Sequence, residues 1–230
     1  MDFKTALIVG VGPGLSASLA RLFARNGLQV AMASREPDKL AKLAEETAGV
    51  TFACEATEPE EVAALFEVVV ATQGAPDIVV YNASARARGP VTELIPEDVA
   101  RSLAVSAYGG FLVAQQAARH MVARGSGAIL LTGASASVKG YPNSSAFAMG
   151  KFALRGLASS LARELSPKGV HVAHFVIDGA IRGAGRADSD GSADSTLDPD
   201  AIAETYWQVA NQPRSAWTWE VELRPWVEKF

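Results

Sequence analysis

A glycine-rich turn set between a short β-rich run and a long amphipathic one constrains this chain more than any other feature. TALIVG at 5–10 runs straight into GVGPGLSASLARLFARNG at 10–27. The first run has the apolar, β-branched character of a buried strand, and the second carries apolar residues at helical spacing. A strand that reverses this abruptly into a helix needs glycine where the backbone takes a positive φ or is approached closely. Gly10 permits the tight turn, and either Gly12 or Gly14 lets the backbone come close to an anion. The helix that opens at Leu15 offers unpaired amides and the positive end of its dipole. A further strand follows at once, so the motif sits in a βαβ unit, the setting in which such a turn cradles the pyrophosphate of a dinucleotide. Ser16 stands where a third small residue would pack helix against strand. The alternative is a plain strand-to-helix turn.

The same alternation continues along the chain. Strands are expected at 5–10, 29–34, 50–55, 77–82, 128–133, 170–177 and 219–224, and helices near 15–26, 37–47, 59–73, 97–124, 145–166 and 199–211. Strands alternating with helices of this length predict an α/β fold, a parallel sheet covered on both faces. Asp198 and Pro199 are suited to the cap and first turn of the last helix, and Pro167 and Gly169 in SPKG to the end of the one before it. With 230 residues and 49% hydrophobic content, the chain suits one domain over 1–230 with a substantial core. RGAGRADSDGSADST, residues 182–196, is too poor in apolar residues to pack by itself and is expected to form a flexible loop. It follows a strand's carboxyl end, so it reads as a substrate lid or as a surface insertion.

Charge and cysteine content narrow the function classes. A net charge of −4 provides no electrostatic footprint for nucleic acid or an anionic membrane surface. The single cysteine, Cys54, excludes an intrachain disulfide, and MDFKTALIVG enters a strand without a signal-like segment. The expected location is the cytoplasm. His171 and His174 fall on opposite faces of a strand and cannot close on one metal ion, so no metal site is expected.

At the end of the second strand stand Ser34 and Arg35. An acid there serves the ribose hydroxyls of NAD, whereas a hydroxyl with a guanidinium suits the 2′-phosphate of NADP. NADP(H) is therefore expected over NAD(H). Were Glu36 to face the ribose instead of Arg35, the preference would weaken or reverse.

These residues together resemble the short-chain dehydrogenase/reductase family, over nearly the whole chain. Gly10 and Gly14 match the first two glycines of its G-x-x-x-G-x-G motif, with Ser16 for the third. CEAT resembles the motif after the third strand that borders adenine, with Glu55 where Asp is usual, followed by Ala56. YNAS at 81–84 resembles N-N-A-G, keeping Asn82 and Ala83, and IDGAI at 177–181 keeps Gly179 of the P-G segment and ends on Ile181. The resemblance implies a Rossmann-type, doubly wound sheet of about seven strands in the order 3-2-1-4-5-6-7. It further implies cofactor contacts from these residues, and assembly as a homodimer or homotetramer through the long helices and the last strand. The tail SAWTWEVELRPWVEKF, rich in aromatics, suits such an interface or packs within its own subunit.

The family's catalytic set is less complete. Its Y-x-x-x-K motif is represented by FAMGK, with Lys151 present and Phe147 in place of the tyrosine, and its helix asparagine falls on Ser106. Ser135 and Ser137 both fit the catalytic serine. In the family the lysine binds the nicotinamide ribose and lowers the pKa of a tyrosine that exchanges the reaction's proton, and phenylalanine has no proton to give. Tyr141, in the loop before the same helix, and Tyr108, beside Ser106, are the substitute donors. Each also reads as a packed aromatic, Lys151 as a snorkelling lysine, and either serine as a backbone cap.

The leading expectation is an NADP(H)-linked oxidoreductase that acts on a small carbonyl or alcohol by a nonstandard proton route. The alternatives are a catalytically silent dinucleotide-binding sensor or partner subunit, and a non-redox enzyme that reuses the cleft. Arg86 and Arg88, in SARARGP, would either attract an anionic substrate or simply face solvent.

Overall fold

The computed structural model describes residues 2–183, 186–188 and 192–228. Seven parallel strands form one sheet in the order β3-β2-β1-β4-β5-β6-β7, as the resemblance implies. They are β1 Thr5–Val9, β2 Gln29–Ser34, β3 Val50–Ala53, β4 Ile78–Tyr81, β5 Gly127–Thr132, β6 Val170–Ile177 and β7 Glu220–Leu223. The helices are α1 Leu15–Arg25, α2 Ala41–Thr47, α3 Pro59–Gln73, α4 Pro96–Leu103, α5 Gly109–Arg124, α6 Ser145–Leu165 and α7 Pro199–Ala210.

Every residue of β1, β4, β5 and β6 is buried, as strands covered on both faces require. Alternation then divides the core into two layers. Ala6 and Ile8 of β1 join the layer beneath α1 and α7, and Leu7 and Val9 join that beneath α3, α5 and α6. The order reverses between β1 and β4, so beyond their first residues the segments after these two strands run to opposite sides of the sheet's carboxyl edge and border a crevice there.

The helix expected at 97–124 is interrupted. Ala104–Tyr108 forms a π-helical turn between α4 and α5. There Tyr81 donates its hydroxyl proton to the carbonyl of Val105, and a Cβ at Gly109 would lie 2.7 Å from the Ala56 carbonyl oxygen. The wider turn lets α5 start flush against β4.

His171 and His174 do face opposite sides of β6. The first contacts the carbonyl of Thr218 at 2.8 Å and the second the carboxylate of Glu220 at 3.0 Å. At the start of α7 the Asp198 carboxylate accepts the Asp200 amide at 2.8 Å, and Pro199 occupies the first turn. Within 182–196, residues 184, 185 and 189–191 lie outside the described residues. Arg182 meets the carboxylates of Asp188 and Asp194 at 3.1 and 3.2 Å, and Ile181 bridges to Leu197. Among the described residues no helix is long and apolar enough to cross a membrane.

Candidate functional site

The crevice between the segments after β1 and β4 opens into a cavity of about 980 Å³. Its wall includes Gly10, Gly12, Ser34, Arg35, Glu55 and Ala56, together with Asn82 and Ala83.

The glycine turn is fixed by close packing. Gly10 has a φ of +86°, and a Cβ there would fall 2.3 Å from the amide nitrogen of Ala83. The turn after β1 and the turn after β4 are therefore in direct backbone contact, which only glycine allows. Asn82 donates to the Ser16 hydroxyl at 2.5 Å, and Ser16 donates to the Gly10 carbonyl at 3.1 Å. Ser16 is buried, so the third small residue both packs and ties the two turns together. By contrast, Cβ atoms at Gly12 and Gly14 would meet nothing within 4 Å. No side chain caps α1 at Gly14, and its first turn holds no acidic residue, so no group of the helix's own first turn competes for its leading amides. Leu15 turns its side chain into the core and has only its backbone to offer.

At the end of β2 the hydroxyl oxygen of Ser34 is buried without a hydrogen-bond partner. Arg35 beside it is exposed. Glu36 forms an ion pair with Lys39 at 2.6 Å, and that ammonium holds its carboxyl below the ordinary range. Glu55, in the motif expected to border adenine, lines the cavity, and its amide donates to the Glu61 carboxylate at 2.8 Å.

Lys151 projects from α6 into the protein, not into the cavity. Its ammonium donates to the Thr132 carbonyl at 2.7 Å, and Thr132 accepts the hydroxyl of buried Tyr206 at 3.0 Å through its own side chain. Burial, reinforced by the charge of Arg86, pulls the lysine pKa down to about 7. Phe147 is buried one turn earlier on α6, its ring centroid 5.9 Å from the Lys151 ammonium. The Arg86 guanidinium, which also lines the cavity, lies 4.2 Å over the same ring.

The two candidate serines have different surroundings. Ser137 is fully buried and its hydroxyl accepts the Ala134 amide at 3.1 Å. Ser135 is half-buried, and its hydroxyl has no hydrogen-bond partner among the described residues. Ser106, in the π turn, is buried and exchanges hydrogen bonds of 3.4 Å with the backbone of Ala85. A Cβ at Gly150 would come 2.7 Å from that of Ser106, so α6 presses against this turn. Tyr141 and Tyr108 are both exposed. The first lies beside Lys139, 5.8 Å from its ammonium, and the second stacks on Phe111. Neither lines the cavity. Gly179 and Ile181 are also apart from it, Gly179 packing against Pro225.

Sequence reasoning missed Thr132 and Ser102. The first accepts from Lys151, and the second donates to the Ala85 carbonyl at 3.0 Å. Nothing in the sequence marks either one, because Thr132 acts through its own backbone carbonyl and Ser102 on the backbone carbonyl of a separate segment.

Residues 4–190 match the family described as short chain dehydrogenase. Tropinone reductase-like 2 of Erythroxylum coca is 31% identical over 199 residues, 84% of this chain and 72% of that protein. D-threitol dehydrogenase of Mycolicibacterium smegmatis is 29% identical over 177 residues, 75% of this chain and 68% of that protein. Among solved structures, a short-chain dehydrogenase from Rhodopseudomonas palustris superposes with a TM-score of 0.84 at 33% identity, covering 97% of this chain and 99% of that one. A metagenomic short-chain oxidoreductase in complex with NADP does so with a TM-score of 0.84 at 26% identity, covering 96% and 97%. With the glycine turn, the sheet order and these matches in agreement, the chain belongs to the short-chain dehydrogenase/reductase family of oxidoreductases.

Proposed function

We propose that the protein is an NADP(H)-dependent oxidoreductase of small carbonyl and alcohol substrates, in which buried Lys151 feeds the proton route that a tyrosine would otherwise complete. The observation that carries the cofactor choice is the orphaned, buried hydroxyl of Ser34 beside the exposed guanidinium of Arg35, at the rim of the cavity. A buried hydroxyl without a partner costs stability unless a ligand satisfies it. A 2′-phosphate would take that hydrogen bond and the charge of Arg35 together. Glu36, the residue that would favour an unphosphorylated ribose, is engaged by Lys39 instead.

The residues present fit a dinucleotide. The amides at the start of α1 and the open faces of Gly12 and Gly14 would hold the pyrophosphate, and Asn82 and Ala83 would border the nicotinamide end. NADP(H), when bound, supplies or accepts the hydride. Within the catalytic set Lys151 is the group poised to release a proton near neutrality, its ammonium destabilised by burial. Ser135, with a free hydroxyl, is better placed than Ser137 to polarise a carbonyl. The exposed Tyr108 and Phe111, with Met149 and Phe152 of α6, would supply the apolar face for the homodimer or homotetramer the family resemblance implies.

One observation favours a second reading. Lys151 is only 2% exposed and lies behind the Phe147 ring, as in a protein that binds the dinucleotide without turning over. Parallel titrations with NADPH and NADH, followed by a panel of aldehydes and ketones, separate the readings. Tighter binding of NADPH, with cofactor oxidation that Lys151→Met abolishes, supports the enzyme. Tight binding with no turnover supports the silent binder, and binding of neither nucleotide overturns both.

A further inference from the structure

We propose that Arg86 selects the substrate of this site by holding a compact oxyanion, a carboxylate or a phosphate ester, against the Phe147 ring. The inference rests on the oxidoreductase reading above and names its substrate class as small oxo or hydroxy compounds that bear a negative charge.

The placement of Arg86 is built, not accidental. The residue before it is fastened to the α4 region by two buried hydroxyls, Ser102 at 3.0 Å and Ser106 at 3.4 Å on the Ala85 carbonyl. From this anchored backbone the side chain crosses to α6, where its guanidinium lies 4.2 Å over Phe147. That contact uses none of the five N–H donors of arginine. Among the described residues no carboxylate or carbonyl accepts from them. The guanidinium nevertheless lines the cavity and is exposed, so a ligand can reach it. The charges that bear on it are all of one sign. Burial, and after it the charges of Arg88 and Arg186, pulls its pKa down, and Arg86 in turn does the same to Lys151. A guanidinium with idle donors on a cavity wall favours an anion, and the planar fork of arginine matches carboxylate and phosphate geometry.

Calorimetric titration of two matched pairs tests this: acetoacetate against acetoacetamide, and dihydroxyacetone phosphate against dihydroxyacetone. Each is run with and without saturating NADPH, on the native protein, Arg86→Gln and Arg86→Lys, with thermal melting to check that the variants fold. At least one anion should bind about tenfold or more tightly than its neutral counterpart, the scale of charge-assisted hydrogen bonds. Which pair responds identifies the carboxylate or the phosphate. Arg86→Gln should erase the preference and leave neutral affinity unchanged, and Arg86→Lys should keep part of it. The proposal is overturned if no anion is preferred, including the case where none binds. It is equally overturned if the preference survives Arg86→Gln, or if that variant loses NADPH affinity in place of anion affinity, which would make Arg86 a cofactor ligand. Failure of the native protein to bind NADPH would sink the cofactor reading alone, because the nucleotide-free titrations still decide the role of Arg86.

Discussion

The ammonium of Lys151 rests 2.7 Å from the carbonyl oxygen of Thr132, with no carboxylate among the described residues to balance it. A lone cation at full burial is costly, and the lysine responds by releasing its proton more readily. That one contact links the lysine of the family's motif to both the stability and the chemistry of this chain.

Its pH dependence has a definite sign. The folded-state pKa is about 7, below the ordinary 10.5. Below pH 7 both states carry the proton and the penalty is constant. Between 7 and 10.5 the unfolded chain holds a proton that the folded one lacks, so stability rises with pH, by up to about 1.4 kcal/mol per unit. Melting temperatures of the native protein should therefore gain on those of Lys151→Met from pH 7 to 9. Parallel curves would contradict the assignment. In the reductive direction, kcat should fall as pH rises past about 7, as the ammonium form is depleted.

Cofactor preference should depend on Ser34 and Arg35. Arg35→Ala should weaken NADPH about 10- to 100-fold, the scale of a lost charged hydrogen bond, while NADH affinity stays within a few-fold. Ser34→Ala should weaken NADPH less, and in the same direction. Fluorescence titration of both nucleotides measures this, and equal loss for the two would show that neither residue reads the 2′-phosphate.

Two glycines of the same turn should behave oppositely. Gly10→Ala places a methyl group 2.3 Å from the Ala83 amide at a φ of +86°. Backbone strain and overpacking together should cost about 2–5 kcal/mol, visible in urea unfolding. Gly12→Ala has open space around it, so it should fold normally and lose nucleotide affinity alone, because the methyl group intrudes on the cradle.

His174 should make the fold sensitive to acid. It is fully buried, and burial pulls its pKa down to about 4 despite the neighbouring Glu220. The neutral ring donates from Nδ1 to that carboxylate and leaves Nε2 unpartnered. Between pH 6.5 and 4 the unfolded state binds a proton that the folded state refuses, so stability falls by about 3 kcal/mol as pH drops through this range and then levels. His174→Gln, which can still donate to Glu220, should show a smaller loss across the same interval in melts from pH 7 to 4.

The sequence by itself determined the α/β class, the seven strands in nearly their observed spans, and the glycine turn. Each of these rests on local physics: strand and helix periodicity, turn chemistry at Gly10, and a cap such as Asp198. The interruption at 104–108 was not legible, because a π turn is set by where α5 must meet Tyr81 and Ala56. Nor could sequence divide Ser135 from Ser137. Two serines in one short segment differ only in whether the backbone of Ala134 uses the hydroxyl. The tertiary structure alone decided that Asn82 reaches Ser16 across 66 positions and that Lys151 pairs with Thr132. It also decided that Arg86 covers Phe147. Parallel sheets bring together segments that are remote along the chain, so contacts at the strand ends follow from strand order and packing, not from any local pattern.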